Sequence, residues 1–323
     1  MKRRAFVSTV GRGTLGLGVL GSGIFPARLL GRFVAPTTEF TGWMWILNRA
    51  GDAWARTNRP EWFTLSRNGD SSLDVPPYVG YYRWVCPSRE PVRAYLRGMI
   101  DDAAAEPGVD GIHLDYIRYC DVILTRGLWE KYDLVQDREF PEFDFCYCDV
   151  CREQFSSLSG TDSLEIDDPP SDPEWIRFRW DSVTRLVGEL TEVTHAREKS
   201  ISAAVFATPT LARRLVRQAW DEWPVDRVFP MLYYSAYARD VPWIGRSIEE
   251  GVAALRGSQT ELLAGLYIPA LTPAELAEAI RLARDAGGAG FSLFDLNPLT
   301  DEHIAAVNAV MRELARNTLQ PAG

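Results

Sequence analysis

The sequence predicts an α/β fold of the (β/α) TIM-type barrel class, and three observations carry the prediction. Short runs rich in β-branched and aromatic residues recur from residue 40 onward, each followed by a stretch with helical apolar spacing, the pattern of parallel strands joined by crossover helices. The alternation extends over roughly 250 residues, the usual length of such a barrel. The competing open, doubly wound sheet would carry a phosphate-binding glycine loop. No G-x-x-x-x-G-K-[ST] occurs, and the spacing G-x-G-x-x-G is confined to a Gly-rich run before residue 37.

Taken in order, the chain opens with Lys2, Arg3, Arg4, Arg12, Arg28 and Arg32 and no acid in its first 36 residues, and a weakly apolar run from Gly13 to Phe25 follows the Arg3-Arg4 pair. That layout reads residues 1–36 as a twin-arginine-type export signal, so the protein is expected in the periplasm or outside the cell. No small-x-small cleavage site stands out. Residues 37–323 then form one domain. Its strands are FTGWMWIL (40–47), VDGIHLD (109–115), SISAAVF (200–206), DRVFPMLY (226–233), ELLAGLY (261–267) and AGFSLFD (289–295). Helices are expected over 91–105, 173–197, 209–220, 241–256, 273–286 and 300–315. Ser171-Asp172-Pro173, Thr208-Pro209 and Thr272-Pro273 each put an N-cap residue before a proline in the first turn. Through the long helix from Pro173, Ile176, Trp180, Val183, Val187 and Leu190 keep one apolar face. Six strands are two short of a closed barrel. The barrel is therefore expected to be incomplete at its N-terminus, unless the first 36 residues enter it.

Composition narrows the partners. The chain is 46% hydrophobic without a run of ~18 apolar residues, so no integral membrane span is expected. Six positive charges in residues 1–36, taken from a formal net charge of −9, leave −15 for the rest. A body that acidic repels phosphate backbones, which argues against nucleic acid as a partner. Eleven Trp, twelve Tyr and fourteen Phe suit a large core or stacking on sugar rings.

The segment 116–172 is long for a loop and rich in aromatics and cysteines rather than Ser and Gly, so it is expected to be ordered and functional. It holds FCYCDVC, with Cys146, Cys148 and Cys151. Cys148 and Cys151 have the C-x-x-C spacing that lets two thiolates meet one tetrahedral ion, and Cys146 adds a third. The fourth ligand of a closed zinc site would be Cys86 or Cys120. A disulfide, or free buried thiols, are the alternatives.

DGIHLDYIRY supplies the candidate acid. By alternation Gly111, His113 and Asp115 share one face, while Ile112 and Leu114 take the other and pack on helices. His113 and Asp115 then point into the barrel mouth. A carboxylate there is costly unless it is paired or used. Arg118 could pair it structurally. Alternatively, burial and Arg118 tune Asp115 as a general acid/base.

GWMWILN (42–48), EW with RNGDS (61–71), YYRWVCPSREPVR (81–93), GVDGIHLDYIRY (108–119), DFCYCDVCREQF (144–155), ISAAVF (201–206), FPMLYY (229–234) and GFSLFD (290–295) together resemble the glycosyl-hydrolase-like family 10 proteins, bacterial barrels of mostly uncharacterised activity. CPSREPVR followed by CYCDVC is further similar to the zinc-binding cysteines of glycoside hydrolase family 42 β-galactosidases. That likeness implies zinc on Cys86, Cys146, Cys148 and Cys151, with Cys120 spare. Family 42 enzymes use two glutamates at strand ends; here the first position corresponds to Asp115, and LLAGLYIP in the seventh-strand position has no acid. Asp295, closing the last strand, is the second carboxylate best placed by sequence, unless Ser292 and Phe294 face inward. Asp121, Asp144 and Asp240 are reserves, and an N-acetyl group on the substrate would replace them all. Trp43, Trp45, Phe206, Tyr233, Tyr234 and Phe294 at strand ends, with His113 and Arg118, are the candidate substrate contacts. The resulting expectation is an exported glycoside hydrolase acting on a polysaccharide or cell-wall glycan, with a non-catalytic carbohydrate-binding barrel as the alternative.

Overall fold

The computed structural model describes residues 5–8, 14–17 and 39–319. Six parallel strands carry the fold: β3 (Glu39–Trp45), β4 (Gly111–Asp115), β5 (Ser200–Phe206), β6 (Arg227–Met231), β7 (Glu261–Tyr267) and β8 (Gly290–Phe294), each hydrogen-bonded to the next in sequence. Two four-residue strands, β1 (Ala5–Ser8) and β2 (Thr14–Leu17), complete the ring. β1 runs antiparallel to both β2 and β3, and β2 runs parallel to β8. All six expected strands are present, and the ring is finished by strands from residues 1–36, the segment expected from sequence to be an export leader.

Alternation sets the two faces of the sheet. Ile112 and Leu114 are fully buried among the helices, which leaves His113 and Asp115 on the inside, as the period of two requires. Register places Trp43 opposite His113 and Trp45 opposite Asp115. β4 begins at a glycine for a steric reason: a Cβ on Gly111 would lie 2.3 Å from Ser200 Oγ and 2.8 Å from the Ser200 carbonyl oxygen of β5.

The outer helices span Glu90–Ala104, Pro173–His195, Pro209–Val216, Trp243–Ala254, Pro273–Asp285 and Asp301–Leu319. Their capped starts form as expected. Asp172 accepts from Trp175 N, Thr208 from Leu211 N, and Thr272 forms a reciprocal capping box with Glu275. The helix from Pro209 ends four residues earlier than its apolar pattern suggests, because Arg217 turns left-handed at φ 55°. The face of the long helix also differs: Trp175, Arg179, Ser182 and Leu186 join Val183, Val187 and Leu190 as its buried residues, while Ile176 and Trp180 are half-buried. A buried arginine sits one turn into that stripe, so hydropathy alone misplaced the face.

The segment 116–172 is ordered, with one helix, Asp149–Ser159, and four short 3-10 turns. Buried Gln136 cross-links its first half: Oε1 accepts from Leu124 N at 2.7 Å and Tyr78 Oη at 2.9 Å, and Nε2 donates to the Val122 carbonyl at 2.8 Å. Among the described residues no helix is long and apolar enough to cross a membrane.

Candidate active site and cysteine cluster

At the C-terminal ends of the strands, where barrels of this class build their sites, lies a cavity of about 210 Å³. Trp43, Tyr116, Phe229, Tyr233 and Phe294 form aromatic walls, Ala204, Met231, Gly265, Ser292 and Leu293 contribute smaller and apolar surface, and His113, Asp115 and Arg118 add polar groups. The ring planes of Tyr233 and Phe294 are 9° apart with centroids 5.6 Å apart, and Tyr267 backs Tyr233 at 4.9 Å.

Asp115 ends β4. Burial pushes its carboxyl up to about 6, against the lowering effect of a hydrogen bond from Tyr116 N–H and of the Arg118 charge. That N–H reaches Oδ1 at 2.7 Å, and Tyr116 is left-handed at φ 49°, uncommon for a bulky residue. The turn aims the N–H back at the carboxylate and lays the Tyr116 ring edge-on to Trp45, centroids 4.7 Å apart.

Arg118 is not the structural partner of Asp115. Its Nη1 donates to Asp121 Oδ2 at 3.0 Å and to the Tyr119 carbonyl at 2.9 Å. The guanidinium sits over Trp84 and Phe206, each at 4.9 Å, and near Tyr116 at 5.4 Å. Burial works against its charge, but Asp121 and neighbouring groups more than offset this. His113 Nδ1 lies 2.9 Å from Ser202 Oγ, and its ring meets Phe229 edge-on at 5.3 Å. Burial holds it down to about 3, so it is a neutral imidazole at ordinary pH.

Six sequence-derived candidates therefore meet at one cavity: Asp115, His113, Arg118, Trp43, Tyr233 and Phe294. Four lie elsewhere, among them Tyr234, whose Oη donates to the Ala270 carbonyl at 2.6 Å. Trp45 stands behind the wall against Trp43 and Tyr116. Phe206 is buried under Arg118 and edge-on to Tyr237. Asp295 is not among the lining residues, and its Oδ1 accepts from Asn297 N at 3.0 Å and Nδ2 at 2.6 Å. The reserve acids have structural work too. Asp144 forms a buried ion pair with Arg179 and accepts from Tyr147 Oη, and Asp240 pairs with Arg246 and accepts from Trp243 N. Tyr116 and Phe229 are site residues that sequence reading missed; only the position of Tyr116, directly after the strand-end acid, hinted at it.

Beyond the barrel mouth, Cys86, Cys146, Cys148 and Cys151 are all buried, with sulfurs within 4.8 Å of one another. Cys86 Sγ lies 3.4 Å from Cys151 Sγ and 3.7 Å from Cys148 Sγ, and no disulfide is present among them. The edge of a tetrahedron with ~2.3 Å metal–sulfur bonds is about 3.8 Å, so this cluster can hold a metal ion. Cys148 is the thiol held low, chiefly by a hydrogen bond with Cys146 and others with Cys151 and Cys86, while burial pushes Cys146 up. Cys120 is buried apart from the cluster.

No family model matches the sequence, and no curated protein matches it. Solved structures do match. The PgaB (BpsB) glycoside hydrolase domain from Bordetella bronchiseptica superposes with a TM-score of 0.54 at 14% identity, covering 88% of this chain and 76% of that one. Gan42B, a GH42 β-galactosidase from G. stearothermophilus, gives 0.53 at 13% identity, with 84% and 46% covered. The catalytic domain of a β-amylase from Paenibacillus polymyxa gives 0.51 at 10%, with 86% and 82% covered. This chain spans less than half the length of the β-galactosidases it matches. At such identities the likeness is one of fold: the chain has the barrel architecture that these glycosidases share.

Proposed function

We propose that the chain is a glycoside hydrolase acting on a polysaccharide or cell-wall glycan, with Asp115 as its general acid/base. One observation carries the reading: a carboxyl group whose proton is retained to about pH 6 lies on the wall of an aromatic cavity at the mouth of the barrel. Aromatic faces stack on the C–H faces of sugars, and an acid protonated near neutrality can protonate a leaving glycosidic oxygen. The Tyr116 N–H fixes Oδ1, which leaves Oδ2 to present the proton. The matched folds include a glycoside hydrolase domain, a β-amylase and a β-galactosidase.

The four cysteines fit a structural zinc. All four donors are sulfur and buried, so the coordination shell is closed and the ion would brace the loop rather than meet substrate. The leader features of residues 1–36 support export by the twin-arginine route, which carries folded, metal-loaded protein.

Release of reducing ends from a panel of glycans, wild type against Asp115→Asn, tests the activity. The expected loss is at least ~100-fold; equal rates would remove Asp115 from the mechanism. A second reading, a carbohydrate-binding barrel without turnover, is favoured by the single carboxylate lining the cavity. Glycan binding unchanged by Asp115→Asn, with no hydrolysis by wild type, would select it.

A further inference from the structure

Hydrolysis of a glycosidic bond by protein groups alone takes two carboxyls, ~5 to 5.5 Å apart for retention and ~6.5 to 9.5 Å for inversion. Residues 1–38 and 314–323 contain no Asp or Glu, so every acidic side chain of this sequence is among the described residues. Only Asp115 lines the cavity. Asp121 is bound to Arg118, Asp144 to Arg179, Asp240 to Arg246 and Asp295 to Asn297. His113, the remaining candidate base, is enclosed and engaged with Ser202.

Resting on the glycosidase reading, we propose that the missing second group is the 2-acetamido group of the sugar, and that the site cleaves β-linked N-acetylhexosamine glycans. Asp115 gives its proton to the glycosidic oxygen as the C1–O bond breaks, while the acetamido carbonyl oxygen of the same sugar bonds to C1 and forms a cyclic oxazolinium ion. Water then adds to C1, the Asp115 carboxylate takes its proton, and the ring opens to restore the acetamide. One water is consumed and the anomeric configuration is retained. The attack requires the acetamido group trans to the leaving oxygen, hence the β linkage for gluco and galacto sugars.

The cavity suits such a sugar. Ala204, Met231, Phe229 and Leu293 offer apolar surface to an acetyl methyl. Tyr233, which makes ring contacts with Tyr267 and Phe294, has a hydroxyl for which no hydrogen bond to a described residue is found, and it can donate to the acetamide oxygen.

The test compares full-length protein on pentamers of N-acetylglucosamine, glucosamine and glucose in each of the common β linkages, and measures binding of the thiazoline analogue of N-acetylglucosamine by thermal shift. Expected are cleavage of an N-acetylated pentamer at least ~100-fold faster than its two counterparts, a product with retained configuration by NMR, and stabilisation by the thiazoline. Comparable cleavage of the glucose or glucosamine pentamer overturns the acetamido proposal and leaves the glycosidase reading standing, as does a ~100-fold loss in Asp295→Asn. Failure to cleave any glycan overturns both.

Discussion

Asp115 is held between opposing demands: burial favours its neutral form, whereas the Tyr116 N–H and Arg118 favour the charged one. Burial wins, raising the group from 3.8 to about 6. Because the folded value exceeds the unfolded one, its contribution to stability is fully present below about pH 4 and is lost as pH rises through about 6. Above that, the fold carries a charge that costs up to about 3 kcal/mol, at about 1.4 kcal/mol per unit. Asp115→Asn should therefore raise the unfolding free energy by about 1–3 kcal/mol at pH 7.5 and change it little at pH 4, as read from urea titrations. His113, held down to about 3, acts in the other direction and loses stability as pH falls from about 6.5 toward 3, but it is common to both proteins and drops out of the difference. In activity, kcat/KM should decline above about pH 6, where the acid loses its proton. The position of Asp115 was legible because alternation is a local rule. The pairing of Arg118 was not: spacing permits either Asp115 or Asp121, and packing between Trp84 and Phe206 chose the latter.

At the scale of elements, the long loop after β4 is held by two devices that stand far apart in sequence. One is the cysteine cluster, which ties Cys86, ahead of the helix Glu90–Ala104, to Cys151 in the first turn of the helix Asp149–Ser159, 65 residues away. The other is the buried Asp144–Arg179 pair, capped by Tyr147 and Trp175, whose Nε1 donates to Tyr147 Oη at 3.1 Å. With zinc in the cluster, elemental analysis should find one zinc per chain. Cys148→Ser, or a strong chelator, should cost at least about 2 kcal/mol, a fall of roughly 3 °C or more in Tm for a chain this size; Cys120→Ser should stay well within that. That the loop is ordered was legible in its composition. The helix Asp149–Ser159 was not, since its buried positions Cys151 and Phe155 are a single turn apart, too few to establish a period.

For the whole molecule, one stretch of chain carries two readings. Residues 1–36 have the charge and apolar pattern of an export leader, and two strands within them complete the ring by pairing with β3 and β8. Arg3 and Arg4 lie outside the described residues. If the leader directs export by the twin-arginine route, Arg3→Lys with Arg4→Lys should reduce the exported fraction at least ~10-fold, measured by fractionation and blotting. The sequence by itself determined the barrel class, six strands, the capped helices and the inward face of β4, because apolar periodicity and proline-flanked caps are properties of neighbouring residues. Only the tertiary structure decided that one carboxylate faces the cavity while Asp121, Asp144, Asp240 and Asp295 are engaged elsewhere. Those outcomes depend on which distant side chains packing brings within hydrogen-bonding reach, and no local pattern encodes that.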